Sequence, residues 1–106
     1  MPNNEYEVSV SDAALAMLDK HMDFLARVSK PAAVRAMNEI LDDIESLKKS
    51  PERFPIYENS FLPENIYRAM LSSRRYLVLY EVTDNFVNVD YIVDGRQDFG
   101  TAMLLD

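Results

Sequence analysis

The sequence predicts an α+β domain in which both helices lie on one face of an antiparallel sheet, and three observations carry that prediction. Residues 67–98 hold three strand-like runs joined by two short polar turns. Residues 12–47 hold two stretches of helical periodicity with a short connection at 29–31. An alternating run, Glu-Tyr-Glu-Val-Ser-Val, precedes them at residues 5–10.

That first run places Tyr6, Val8 and Val10 on one side, the period of a half-buried strand. Ser11 follows as an N-cap with Asp12 in the first turn, where a side-chain oxygen and a negative charge both suit the free amides of a helix start. Leu15, Leu18, Met22 and Leu25 then recur at spacings of three and four, one stripe of a helix ending near Val28. Pro31 suits the first turn of a second helix, whose stripe is Val34, Met37, Leu41, Ile44 and Leu47, and Ser50-Pro51 stops it. So short a connection makes the two helices an antiparallel hairpin.

Residues 51–65 contain Pro51, Pro55 and Pro63 without periodicity and read as a loop, pinned by Phe54, Ile56, Tyr57 and Phe61. The meander follows, with turns at Ser72–Arg75 and Thr83–Asn85. Strict alternation puts Val87, Val89, Tyr91 and Val93 toward the helices, because Asn88, Asp90 and Asp94 would otherwise be buried unpaired. With Arg68 facing away, Tyr67, Ala69 and Leu71 turn inward, whereas the middle strand reads either way, as Tyr76, Val78, Tyr80 and Val82 or as Leu77, Leu79 and Glu81, with the charge of Glu81 favouring the second set outward. Ile66, Arg68, Met70, Leu77, Leu79, Glu81, Asn88, Asp90 and Ile92 then fall on the far face, which is half apolar and needs a cover.

At 106 residues without low-complexity sequence, the chain is expected to be a single domain, 1–106. An apolar fraction of 48% against 27% charged is the balance of a folded globular protein. The absence of cysteine excludes disulfides and thiolate metal sites, and His21 stands without a second histidine, so neither metal nor cofactor is expected. No apolar run reaches the roughly 20 residues of a membrane span, and residues 1–5 lack signal character, which makes the cytoplasm the expected compartment. The net charge of −7 repels nucleic acid at long range, so any phosphate contact must use a local basic patch. Arg53, Arg68, Arg74, Arg75 and Arg96 are the cations available in the second half of the chain.

The order of these elements resembles the RelE/ParE superfamily of bacterial type II toxin-antitoxin toxins, also called plasmid stabilisation proteins. The residues that carry the resemblance are Ser11–Ala14, Leu47 to Pro51 with Pro55, Tyr67–Leu71, Tyr76–Tyr80 and Ile92–Asp98. It implies a toxin neutralised by a cognate antitoxin, with the ribosome and mRNA, or DNA gyrase, as target. RelE-like members cut mRNA in the ribosomal A site by attack of a 2′-hydroxyl on the neighbouring phosphate, which requires a base, an acid and cations. ParE-like members poison gyrase. A third alternative is a degenerate member that only binds antitoxin.

Carried onto this sequence, the family's strand cation falls on Arg68 and its cation past the last strand on Arg96, the candidate catalytic residues of a ribosome-dependent endoribonuclease. Tyr67, Arg74 and Arg75 are the candidate substrate contacts, and Met70, Leu77 and Leu79 the candidate antitoxin surface. Two further family cations fall on Met70 and Leu77, and the C-terminal tyrosine of many members has Phe99 as its nearest neighbour. The expected assembly is a homodimer or a hetero-oligomer with the antitoxin. Arg68 and Arg96 have an alternative reading as ion-pair partners of Glu81, Asp90, Asp94 or Asp98.

Overall fold

A computed structural model of the chain describes residues 5–96. Asp98, Phe99 and the rest of the C-terminal tail lie outside the described residues. In chain order the elements are strand β1 (Glu7–Val10), helices α1 (Asp12–Val28) and α2 (Lys30–Glu45), and strands β2 (Tyr67–Ser72), β3 (Tyr76–Thr83) and β4 (Phe86–Asp94). Two single 3₁₀ turns, Ser46–Lys48 and Pro51–Arg53, follow α2.

The caps explain the hairpin. Ser11 Oγ accepts from the Ala14 amide at 3.0 Å, as the sequence predicts. Ser29 serves both helices: its amide donates to the Leu25 carbonyl, closing α1, while its Oγ accepts from the Ala32 amide, opening α2. One residue therefore makes the whole connection.

The sheet has the order β1-β4-β3-β2, with β1 parallel to β4 and the remaining pairs antiparallel. The meander is as expected, and the N-terminal strand joins its β4 side. β1 stops at Val10, after which α1 runs beside the rest of the β4 edge: Ser11 Oγ donates to the Asp90 carbonyl and His21 Nε2 donates to the Ile92 carbonyl at 2.9 Å. His21 thus satisfies an edge carbonyl, and its ring also leans on Tyr76 with centroids 5.1 Å apart. Among the described residues, no helix is long and apolar enough to cross a membrane.

The core between helices and sheet keeps most of the expected stripes, Leu18, Met22, Ile44 and Leu47 with Leu25 and Met37 packed against them, and adds alanines beside them. On α2 the buried set is Ala33, Ala36, Ile40 and Ile44, continued by Leu47, while Val34 and Leu41 are exposed. On α1 Ala14, Leu18 and Met22 are buried and Leu15 is exposed. The physical reason is alanine: small side chains let the helices approach the sheet closely and fill core positions that the large residues alone do not mark.

Two strands also depart from strict alternation. Leu79 pairs with Tyr91 but Tyr80 pairs with Val89, so Asp90 is an extra residue in β4, a β-bulge. Before it, Val87 and Val89 face the helices as expected; after it, Ile92 does, and Tyr91 and Val93 join the far face. On β2 the expected phase is reversed. Met70 is 2% exposed in the core under the helices, while Tyr67 and Ala69 lie on the far face. Leu71, on their side of the strand, is 60% exposed.

The far face is covered by the chain itself. Tyr57, Leu62 and Met17 pack on Tyr67, Leu79 and Val93, leaving Leu79 fully buried. Leu62 is the pin there, and Phe61, expected in that role, is 66% exposed. The loop that carries Tyr57 also lines the outer edge of β2: the Tyr57 amide donates to the Tyr67 carbonyl at 2.7 Å and the Ala69 amide to the Pro55 carbonyl. An edge that would otherwise be open to pairing is thereby closed over part of its length.

Candidate functional site

The polar groups worth weighing sit at two places, the β2–β3 turn with the end of β4, and the middle of the far face. At the turn, Ser73 (φ 52°) and Arg74 (φ 61°) both occupy the left-handed region, and the Arg75 amide donates back to the Ser72 carbonyl. This is the backbone of a tight hairpin turn built without glycine or asparagine, so it stores strain. It sets Arg75 against the last residue of β4. Arg75 Nε and Nη2 both donate to Asp94 Oδ2, at 3.1 and 3.0 Å, with the guanidinium 5.3 Å from the centre of the Tyr76 ring.

Asp94 also holds Arg96. The Arg96 amide donates to Oδ1 at 3.0 Å, and its Nε and Nη2 reach Oδ1 and Oδ2 at 3.3 Å. Burial alone would raise the Asp94 carboxyl, but hydrogen bonds from Arg96 and then Arg75 outweigh it and hold the group at about 2. Gly95 makes the approach feasible, since its amide donates to the Arg75 carbonyl at 2.7 Å and a Cβ there would lie 2.8 Å from that oxygen.

Arg68 is elsewhere. Its Nη1 donates to the carbonyls of Phe54, at 2.6 Å, and Glu52, at 3.1 Å, closing the end of the second 3₁₀ turn. It pairs with Tyr80, whereas Arg96 lies two residues past Asp94, the partner of Tyr76. Four residues of strand, roughly 13 Å at the usual rise, separate Tyr80 from Tyr76 before those two are added. The structure therefore brings Arg75 and Arg96 together and leaves Arg68 toward the opposite end of the sheet.

The far face carries a group that sequence reasoning missed. Tyr67 Oη donates to Asp90 Oδ2 at 2.7 Å, and the Glu81 carboxyl stands beside the same aspartate. A hydrogen bond with Asp90, then burial and the Asp90 charge, push Glu81 up to about 7. Burial and the same carboxylate raise the Tyr67 hydroxyl, which stays protonated. The bulge is what turns Asp90 to this place. Its sequence signal is Tyr91-Ile92-Val93, three apolar residues in a row where strict alternation allows no two neighbours.

Of the expected antitoxin residues, Met70 is under the helices, Leu79 is beneath Leu62 and Tyr57, and Leu77 stays partly exposed. Leu77 pairs across the strands with the exposed Leu71, and these two form the apolar strip that remains open on the far face. Among the described residues no cluster of three or more His, Cys, Asp or Glu side chains is arranged to hold a metal ion.

Comparison with known proteins decides the family. The sequence pattern described as "ParE toxin of type II toxin-antitoxin system, parDE" matches residues 8–99, nearly all of the chain. The chain belongs to the ParE toxin family of type II toxin-antitoxin systems. Among solved structures, a chain of the chromosomal ParDE toxin-antitoxin system from P. aeruginosa is similar to it with a TM-score of 0.68. The two share 17% identity over 85% of this chain and 96% of that one, a likeness of fold. No curated protein sequence matches. Within a ParE-family chain, the α-helical hairpin over a four-stranded sheet is thus the expected architecture, and the loop-covered far face and the Asp94 hub are features to explain on this chain's own residues.

Proposed function

We propose that this ParE-family toxin acts by binding DNA gyrase, without cutting mRNA, and that an antitoxin silences it by docking on the Leu71–Leu77 strip. The observation that carries the proposal is the commitment of the two candidate catalytic arginines. Arg68 is bound to two backbone carbonyls and Arg96 to the Asp94 carboxylate, well apart along the sheet. Cleavage through a 2′-hydroxyl needs cations gathered around one phosphate, together with a base and an acid. Where further cations would be required, the chain has Met70 and Leu77.

The group that titrates near neutrality, Glu81, is placed for a different purpose. Its neighbour is a second carboxylate, Asp90, and such a pair repels a phosphodiester. Membership of the ParE family supports the binding reading, since the resemblance to ParE-like toxins implies poisoning of gyrase without hydrolysis. Antitoxin docking on exposed apolar residues of a sheet follows the usual physics of peptide recognition.

The test is induced expression with separate readouts of translation and DNA supercoiling. Growth arrest with altered supercoiling and intact mRNA supports the proposal. Arrest with cleaved mRNA, abolished in Arg96→Ala, overturns it in favour of a ribosome-dependent endoribonuclease.

A further inference from the structure

On the helix side of the sheet, an open cleft of about 380 Å³ lies between α1, the first half of α2 and the β2–β3 turn. Arg35, Arg74 and Arg75 reach it from two different elements. In a chain of net charge −7 such a concentration of guanidinium groups is unusual, since like charges held together lose stability unless something neutralises them. Arg75 is neutralised by Asp94. Among the described residues, Arg35 and Arg74 make neither an ion pair nor a hydrogen bond through their side chains.

The rest of the wall is of a different kind. Leu25, Ala32 and Ala36 give it an apolar side, the Tyr76 ring lies buried behind the Arg75 guanidinium, and Glu39 supplies one acceptor carboxylate that has no ion-pair partner among the described residues. Ala32, Arg35, Ala36 and Glu39 lie at helical spacing along one stripe of α2, so the cleft presents cation and carboxylate on the same straight wall, one turn apart. The Tyr76 hydroxyl is buried without a hydrogen-bond partner among the described residues, an arrangement that costs free energy as long as it lasts.

We infer that this cleft binds a nucleoside monophosphate, or an equivalent phosphate ester at the end of a nucleic-acid strand. Two free guanidinium forks match a phosphate dianion. The apolar wall of Leu25 and Ala32 matches a base face, and Glu39 accepts from a ribose hydroxyl or an exocyclic amine. A volume of about 380 Å³ lies within the usual range of small-ligand clefts and suits one nucleotide, not an extended strand. The site is separate from the Leu71–Leu77 strip, which faces the other side of the sheet, and it does not depend on which target the toxin attacks.

The experiment is a titration of the full chain, ¹⁵N-labelled, with AMP, adenosine, inorganic phosphate and a 5′-phosphorylated trinucleotide. AMP is expected to shift the amides of Ser73, Arg74 and Ala36 saturably, with adenosine and inorganic phosphate each at least tenfold weaker. Arg35→Gln, on an exposed helix position, and Arg74→Gly, at a left-handed backbone position that glycine prefers, keep the fold and should each weaken AMP binding at least tenfold. Tighter binding of the trinucleotide than of AMP assigns the ligand to strand ends, and weaker binding assigns it to free nucleotides. The absence of saturable shifts with AMP, equal binding of inorganic phosphate, or unchanged affinity in both variants would overturn the inference.

Discussion

Arg75 and Asp94 close the open end of the β3–β4 pair, with two guanidinium nitrogens within 3.1 Å of one carboxylate oxygen. Both side chains are largely shielded from water, 24% and 10% exposed, so the pair is screened far less than a surface salt bridge. The same carboxylate restrains Arg96, and a turn, a strand end and a chain exit therefore depend on Asp94.

Asp94→Asn should lower the folding free energy by about 2 kcal/mol, because two arginines lose a charged acceptor while the site stays shielded. The acid limb of stability should change too. A carboxyl held at about 2 when folded, against an ordinary 3.8, contributes stability that is complete above the unfolded value and is lost as pH falls toward 2. Urea midpoints at pH 7 and pH 3 check both statements: the variant is weaker at pH 7, and its deficit shrinks at the lower pH.

Gly95→Ala should cost about 1–3 kcal/mol, since a Cβ at 2.8 Å from the Arg75 carbonyl oxygen forces two backbone segments apart. Arg74→Gly should do the reverse and add up to about 1 kcal/mol, by relieving a left-handed residue at φ 61°. Chemical denaturation of the two variants at one pH separates the effects.

The Glu81–Asp90 pair makes an opposite pH prediction. Glu81 holds its proton in the folded state up to about 7 but releases it near 4.5 when unfolded, so the folded state binds more protons in that window. Stability must then fall as pH rises from about 4.5 to about 7. Glu81→Gln removes the titrating group and leaves an amide donor for Asp90, so the variant should exceed wild type by about 1–2 kcal/mol at pH 8 after allowance for solvent screening. Denaturation midpoints across pH 4 to 8 show whether the slope disappears.

Much of the architecture was legible in the chain. Ser11 and Pro31 marked the helix starts, and the runs at 67–71, 76–82 and 87–93 marked the meander, because each element has its own period and its own punctuation. What escaped was phase. A one-residue slip inverts a strand, and the Asp90 bulge does this halfway along β4, while on β2 the pull of Arg68 toward the carbonyls of Glu52 and Phe54 decides which side faces the helices. The parallel pairing of β1 with β4 is a non-local fact with no local signal. The candidate site was read less completely than the fold for the same reason: Met70 and Arg68 were assigned to the face that the register denies them, and Asp94 and Glu81 gain their character only from neighbours far away in sequence.

The surface assignments separate by mutation. Met70→Ala should cost about 2–4 kcal/mol of stability, as expected for truncating a side chain only 2% exposed in the core. Leu71→Asp, at a residue 60% exposed, should leave the denaturation midpoint nearly unchanged and weaken the complex with the antitoxin at least tenfold. Pull-down of the co-expressed antitoxin by each variant, alongside its denaturation curve, distinguishes a folding defect from a docking defect.

The central claim is that this toxin binds its target without cutting RNA, and the most direct measurement pairs two assays on the purified chain. In one, gyrase supercoils relaxed plasmid in its presence; in the other, programmed ribosomes are incubated with it and the mRNA is examined for breaks. Dose-dependent loss of supercoiling that the antitoxin relieves, with intact mRNA, is the result the account predicts. Cleavage of mRNA in the ribosome with gyrase unaffected would contradict it.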